Sequence, residues 1–129
     1  MAMLFPSVGK KRVLEKFLKD TENALTLRLY SNDVTPGNTD VAGTYTEVSG
    51  GGYAAVALAS GDWTISNATP SVASGAQKSF AFTGAAGNVY GYYVTDADGT
   101  LVFADRFGSV RTINYSGDTI KITPTINLS

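Results

Sequence analysis

Residues 88–107 read NVYGYYVTDADGTLVFADRF, and the alternation inside that stretch decides the fold. Val89, Gly91 and Tyr93 alternate with Tyr90, Tyr92 and Val94, which is the period-two pattern of a strand with its aromatic weight on one face. The second arm repeats the pattern, Leu101, Phe103 and Asp105 on one side and Val102, Ala104 and Arg106 on the other. Asp96-Ala97-Asp98-Gly99 joins the arms with residues that tolerate a left-handed backbone, and Gly99 is expected at positive φ at the tip. A hairpin by itself is only marginally stable, so the rest of the chain has to supply a facing sheet.

Downstream, Gly108-Ser109 predicts another turn and residues 111–115 a short strand. Ser116-Gly117-Asp118 then turns the chain into a strand over 119–123 with Ile120 and Ile122 inward. Pro124 cannot donate a ladder bond, so residues 125–129 are expected either as an edge strand or off the sheet. Upstream, Phe80 and Phe82 mark a strand over 77–83, and the Ser-, Thr- and Gly-rich stretch 67–76 reads as a polar loop. Residues 53–58 and 62–66 bracket Ala59-Ser60-Gly61 as strand, turn and strand, with the single tryptophan, Trp63, as an anchor. Ser49-Gly50-Gly51-Gly52 bends the chain tightly. A phosphate-cradling loop would need a lysine and a helix immediately afterwards, and residues 53–58 offer neither. Residues 44–48 form a weak strand candidate, and 31–39, SNDVTPGNT, a loop.

Residues 24–30 again have period two, with Leu25, Leu27 and Leu29 inward and Thr26, Arg28 and Tyr30 outward. Before them the period changes. Val13, Leu14, Phe17 and Leu18 recur at helical spacing over residues 10–20, and Lys10, Lys11, Lys16 and Lys19 surround the other side. Met3, Leu4 and Phe5 precede this helix in an arm that Pro6 holds extended and Gly9 loosens, and their apolar side chains either cover the domain's own core or dock onto another subunit. The expected architecture is therefore mainly β: one antiparallel β-sandwich or β-tulip-like domain of about seven to nine strands over residues 23–129. An N-terminal arm and short amphipathic helix occupy residues 1–22.

A chain of 129 residues suits one domain. It has no cysteine and no histidine, which removes disulfides, thiolate chemistry, the commonest general base and the commonest neutral metal ligand. A net charge of -1 with 16% charged residues lacks the clustered basic field of a nucleic-acid-binding protein. Charge is uneven all the same. The first 22 residues carry Lys10, Lys11, Arg12, Lys16 and Lys19 against Glu15, Asp20 and Glu22, a local surplus of cations. No apolar run approaches the roughly 20 residues that cross a bilayer. Residues 1–6 are too short for a signal-peptide core, so the expectation is a soluble protein made in the cytoplasm.

Asp96, Asp98, Asp105, Glu47 and Asp62 are the carboxylates that acid/base work or a hard cation would recruit. Asp96-x-Asp98-Gly99 shares letters with calcium loops but lacks the later acidic ligand, and a hairpin tip already accounts for its composition. No metal or cofactor is expected. Tyr53, Tyr90, Tyr92, Tyr93 and Tyr115 could stack on sugars or single-stranded bases, although strands generally use such residues to fill half-buried faces. A carbohydrate-binding module and a small carboxylate-dependent hydrolase are thus alternatives to a purely structural protein.

The order FPSVGKKRVLEKFL, ALTLRLYSNDVTPGNT, YTEVSGGGYAAVAL, WTI, FAFTG, VYGYYVTDADGTLVFADRF and GDTIKITPTINLS resembles a family of small structural proteins of tailed-bacteriophage virions, in particular capsid decoration or cement proteins. The resemblance spans nearly the whole chain and rests on packing and turn signatures. It implies a non-enzymatic protein on the virion capsid surface, bound to the major capsid protein and to copies of itself, with a trimer favoured. A tail, baseplate or neck position is the alternative placement. The residues expected to meet the capsid or a neighbouring subunit are Leu4, Phe5, Lys10, Lys11, Arg12, Val13, Phe17 and Leu18, and no nucleic acid, membrane or small-molecule partner is expected.

Overall fold

The computed structural model describes residues 4, 6–20, 24–67 and 71–128. Helix α1 (Ser7–Leu18) is followed by nine strands among these residues: β1 (Leu25–Tyr30), β2 (Val56–Leu58), β3 (Thr64–Ile65), β4 (Ser71–Ser74), β5 (Lys78–Ala81), β6 (Gly87–Thr95), β7 (Leu101–Ile113), β8 (Thr119–Ile122) and β9 (Thr125–Leu128). All pairings are antiparallel, in sheets of order β2-β1-β6-β7, β3-β4-β9 and β5-β8. The fold is the expected mainly β, sandwich-like domain with one short helix.

The leucine alternation places β1 in the middle of the four-stranded sheet. Leu27 pairs with Val94 and Leu29 with Tyr92, so their side chains share one face. That face joins Leu14 and Leu18 of α1, Trp63, Phe80 and Phe82, and Ile120 and Ile122 of β8 in a single core cluster. Each leucine fully withdrawn from water contributes roughly 1.5–3 kcal/mol of transfer free energy, so α1 and the smaller sheets are held on by apolar burial from both sides.

Tyr30 corrects the outward assignment made from the alternation: it is 0% exposed. The segment after β1 folds back across the opposite face of the sheet. Ser31 N–H donates to the Thr46 carbonyl at 2.8 Å, Val48 N–H to the Leu29 carbonyl at 3.0 Å, and Tyr30 forms an isolated bridge with Glu47. Beneath this strap Tyr45 packs against Tyr30 with ring centroids 4.8 Å apart and stacks on Tyr93 at 5.2 Å. β1 is therefore buried on both faces, as a central strand can be once a loop covers its second side. The weak strand expected at 44–48 is reduced to that bridge, preceded by a 3₁₀ turn over Ala42–Thr44.

Other boundaries move for local reasons. The helix begins at Ser7 instead of Lys10, because Pro6 is the extended N-cap and its carbonyl accepts Lys10 N–H at 3.0 Å; proline suits a helix start, where no donor is needed. β2 and β3 are not a hairpin. A 3₁₀ turn over Ser60–Asp62, whose Asp62 carboxylate accepts Ala59 N–H at 2.8 Å, sends them to different sheets. The expected loop at 67–76 contains β4, whose Ser71 and Ala73 are 0% exposed beneath α1; small side chains admit the helix closely there. β9 pairs with β4 as an edge strand beyond Pro124.

β7 runs through Gly108-Ser109 without turning. Val89 pairs with Arg111 and Gly91 with Arg106, so residues 107–110 face only Tyr90 and the break becomes a bulge. At the other end the hairpin tip is as expected. Gly99 has φ 83°, and one Asp96 carboxylate oxygen accepts the N–H groups of Asp98 at 2.9 Å and Thr100 at 3.0 Å.

Candidate attachment surface

α1 gives its apolar residues two destinations. Leu14 and Leu18 are 7% and 2% exposed in the main core, and Phe17 packs partly buried against it. Away from that core contact Val8 is 67% exposed and Val13 48% exposed, and Leu4 ahead of the helix is 88% exposed. Arg12 is exposed, and Lys10 and Lys11 are half-buried. Phe5 lies outside the described residues.

The eight residues expected at a partner contact are thus divided. Leu18 is withdrawn into the protein's own core, and Val13, grouped with Leu14, Phe17 and Leu18 by helical spacing, is exposed. Leu4 and Val13 flank the Lys10-Lys11-Arg12 run as exposed apolar groups, and Val8 belongs with them. Sequence reasoning missed Val8 by starting the helix after Gly9, and Pro6 was the signal for the earlier start. Further along the helix Arg12, Lys16 and Lys19 share a shallow open depression with Glu15 and Asp20, so the cationic character is partly compensated there.

The tyrosines weighed as a stacking platform are mostly interior, in keeping with strand packing. Tyr92 and Tyr93 are 7% and 4% exposed; burial, then the nearby Asp105, pushes the Tyr92 phenol up to about 12. Tyr53 donates to a Glu47 carboxylate oxygen at 2.7 Å and accepts Leu29 N–H at 3.1 Å, and burial foremost raises its pKa. Arg28 completes this network with bonds of 3.1 Å to both Glu47 oxygens and 3.0 Å to the Thr95 hydroxyl. Tyr115, 72% exposed, stands apart. The network pins the strap, and both oxygens of its carboxylate are engaged in structural bonds.

Asp62, another carboxylate on the list of chemical candidates, pairs with Lys78 at 2.8 Å. That bond, with the Ala59 N–H, holds its pKa below the usual carboxylate value. Asp105 on β7 pairs in register with Tyr92 on β6, and Asp96 is absorbed by the hairpin tip. Among the described residues no group of three or more acidic side chains comes together to hold a metal ion, and no helix is long and apolar enough to cross a membrane.

A second concave feature lies on the strap side of the large sheet. An open groove of about 440 Å³ runs between residues 101–104 of β7 and Pro36, Gly37, Asn38 and Asp40, with Tyr45 in its lining. Comparison with protein-family models, curated proteins and solved structures returned no match.

Proposed function

We propose that this chain is a non-enzymatic structural protein of a bacteriophage virion, a decoration protein that binds the shell of major capsid protein through its N-terminal helix and the residues just before it. The observation that carries the reading is the divided helix. Leu14 and Leu18 fasten α1 to the β body, and Leu4, Val8 and Val13 remain exposed beside Lys10, Lys11 and Arg12. Exposed apolar side chains on a segment that also carries cations suit docking onto an acidic protein surface, where the apolar contacts supply affinity and the charges supply steering. The resemblance of the sequence to tailed-phage decoration proteins supplies the identity of that surface. Copies of the chain clustered on the shell would multiply individually weak contacts.

The test is binding of the purified chain to undecorated capsids. Leu4→Asp/Val8→Asp/Val13→Asp should abolish co-sedimentation and keep the wild-type unfolding curve, and density in intact particles should form a regular array over the capsid lattice. Undiminished binding of the triple variant refutes the attachment surface, and density confined to the tail axis refutes the capsid placement.

A further inference from the structure

β7 ends the sheet order β2-β1-β6-β7, and at 13 residues it is a long edge. Exposed strand edges invite pairing, and proteins blunt them with bulges and charge. Here the blunting covers one half. Residues 107–110 are displaced from the β6 ladder, and Asp105, Arg106 and Arg111 place charges along that part. The other half, Leu101-Val102-Phe103-Ala104, has no charge, is half-buried, and forms one wall of the open groove.

Two features make this half a built receptor. Thr95 pairs with Leu101 and Val94 with Phe103, so Val102 is a bulged residue with no partner on β6. Among the described residues no main-chain bond other than the β6 ladder engages 101–104. The facing wall is already ordered: one Asp40 carboxylate oxygen accepts Gly37 N–H at 2.8 Å and the Tyr45 hydroxyl at 2.7 Å. Its other oxygen accepts no hydrogen bond from the described residues, and Asp40 is the one ionisable group of the lining besides the buried Tyr45 phenol.

We propose that residues 101–104 of β7 receive an extended segment of a partner protein as an added strand, with a lysine or arginine of that segment meeting Asp40. Main-chain donors and acceptors at strand spacing select an extended peptide, and about four residues at roughly 3.3 Å each fill the uncharged half of the edge. The carboxylate selects a cation. A second copy pairing through the same edge would bring two Asp40 carboxylates together without one. This assignment does not depend on the attachment role of α1.

The test is an NMR titration of the full chain with the acetylated, amidated peptides Thr-Val-Lys-Val-Thr and Thr-Val-Glu-Val-Thr. The lysine peptide should shift the amides of residues 101–104 and 37–40 and slow exchange of the Val102 N–H. Asp40→Asn should weaken it about fivefold or more, the size expected for losing one charge pair, and Val102→Pro should abolish it. If Val102→Pro melts below the wild type, Asp40→Asn decides the matter. Equal affinity for the two peptides, shifts elsewhere on the chain, no shifts at millimolar peptide, or a β7-mediated dimer would each overturn the proposal.

Discussion

Gly91 lies directly opposite Tyr30 in the central ladder, so close that a Cβ on Gly91 would stand 2.6 Å from the Tyr30 hydroxyl oxygen and 2.7 Å from Cε1. The Asp105 carbonyl blocks the same space from β7. The glycine thus makes room for a fully buried tyrosine ring. Gly91→Ala should destabilise by about 2–3 kcal/mol through overpacking, measured by chemical denaturation. Tyr30→Phe should not rescue it, because the ring carbon and the carbonyl remain.

Gly51 and Gly99 both have positive φ, 61° and 83°, but their surroundings differ. Nothing lies within 4 Å of a Cβ at Gly99, whereas one at Gly51 would meet the Gly84 carbonyl at 2.7 Å. Gly99→Ala should therefore cost about 1 kcal/mol of backbone strain alone. Gly51→Ala should cost at least about 2 kcal/mol, strain and overlap together. Equal melting temperatures for the two variants would contradict this distinction.

The buried and exposed apolar residues of α1 separate by mutation. Leu18→Ala should cost about 2–5 kcal/mol as a core truncation, and Val13→Ser should change stability by no more than about 0.5 kcal/mol. Thermal unfolding of the two variants gives the comparison.

The Asp62–Lys78 pair has a pH signature. The folded Asp62 carboxyl lies below its ordinary value of 3.8, so its contribution is complete above that value and declines as pH falls through the lower folded pKa. Asp62→Asn should lower neutral-pH stability by about 1 kcal/mol and flatten the loss of stability below pH ~4. An acid limb parallel to the wild type would show that other carboxylates govern it.

Tyrosine burial acts at the opposite extreme. Tyr30, Tyr45, Tyr53, Tyr92 and Tyr93 all have raised folded pKa values, with desolvation the largest cause. Their contribution is complete below the unfolded value of 10.0 and is lost as pH rises from there through the folded values. Stability should fall steeply above pH ~10, with phenolate absorbance and loss of circular dichroism rising together. Five tyrosines titrating ahead of unfolding would contradict their burial.

Strong alternation with a glycine turn made the hairpin legible, and helical spacing made α1 legible, because each pattern lies within a few adjacent residues. β4 was hidden because Ser-Val-Ala-Ser has little strand character and becomes a strand by pairing with β3 and β9. Tyr30 was misassigned because its burial depends on a strap that returns from residues 31–47. The candidate attachment surface was legible as a segment but not residue by residue: periodicity groups Val13 with Leu14, and only the docked helix shows that Val13 is exposed and Leu14 buried. The uncharged half of β7 is set off by two register breaks, which no spacing rule reveals.

The central position of β1 also decides how the molecule bears a load. α1 precedes β1 in the chain, and β1 is clamped through Leu25, Thr26 and Leu27 to β2 and through residues 26–30 to β6. A pull on the N-terminal segment, once it frees the helix, reaches a strand held along both sides. Its hydrogen bonds are then loaded in parallel, as in shear, instead of opening one after another like a zipper. A tether on an edge strand would peel away at low force; one on β1 would have to break both of its ladders.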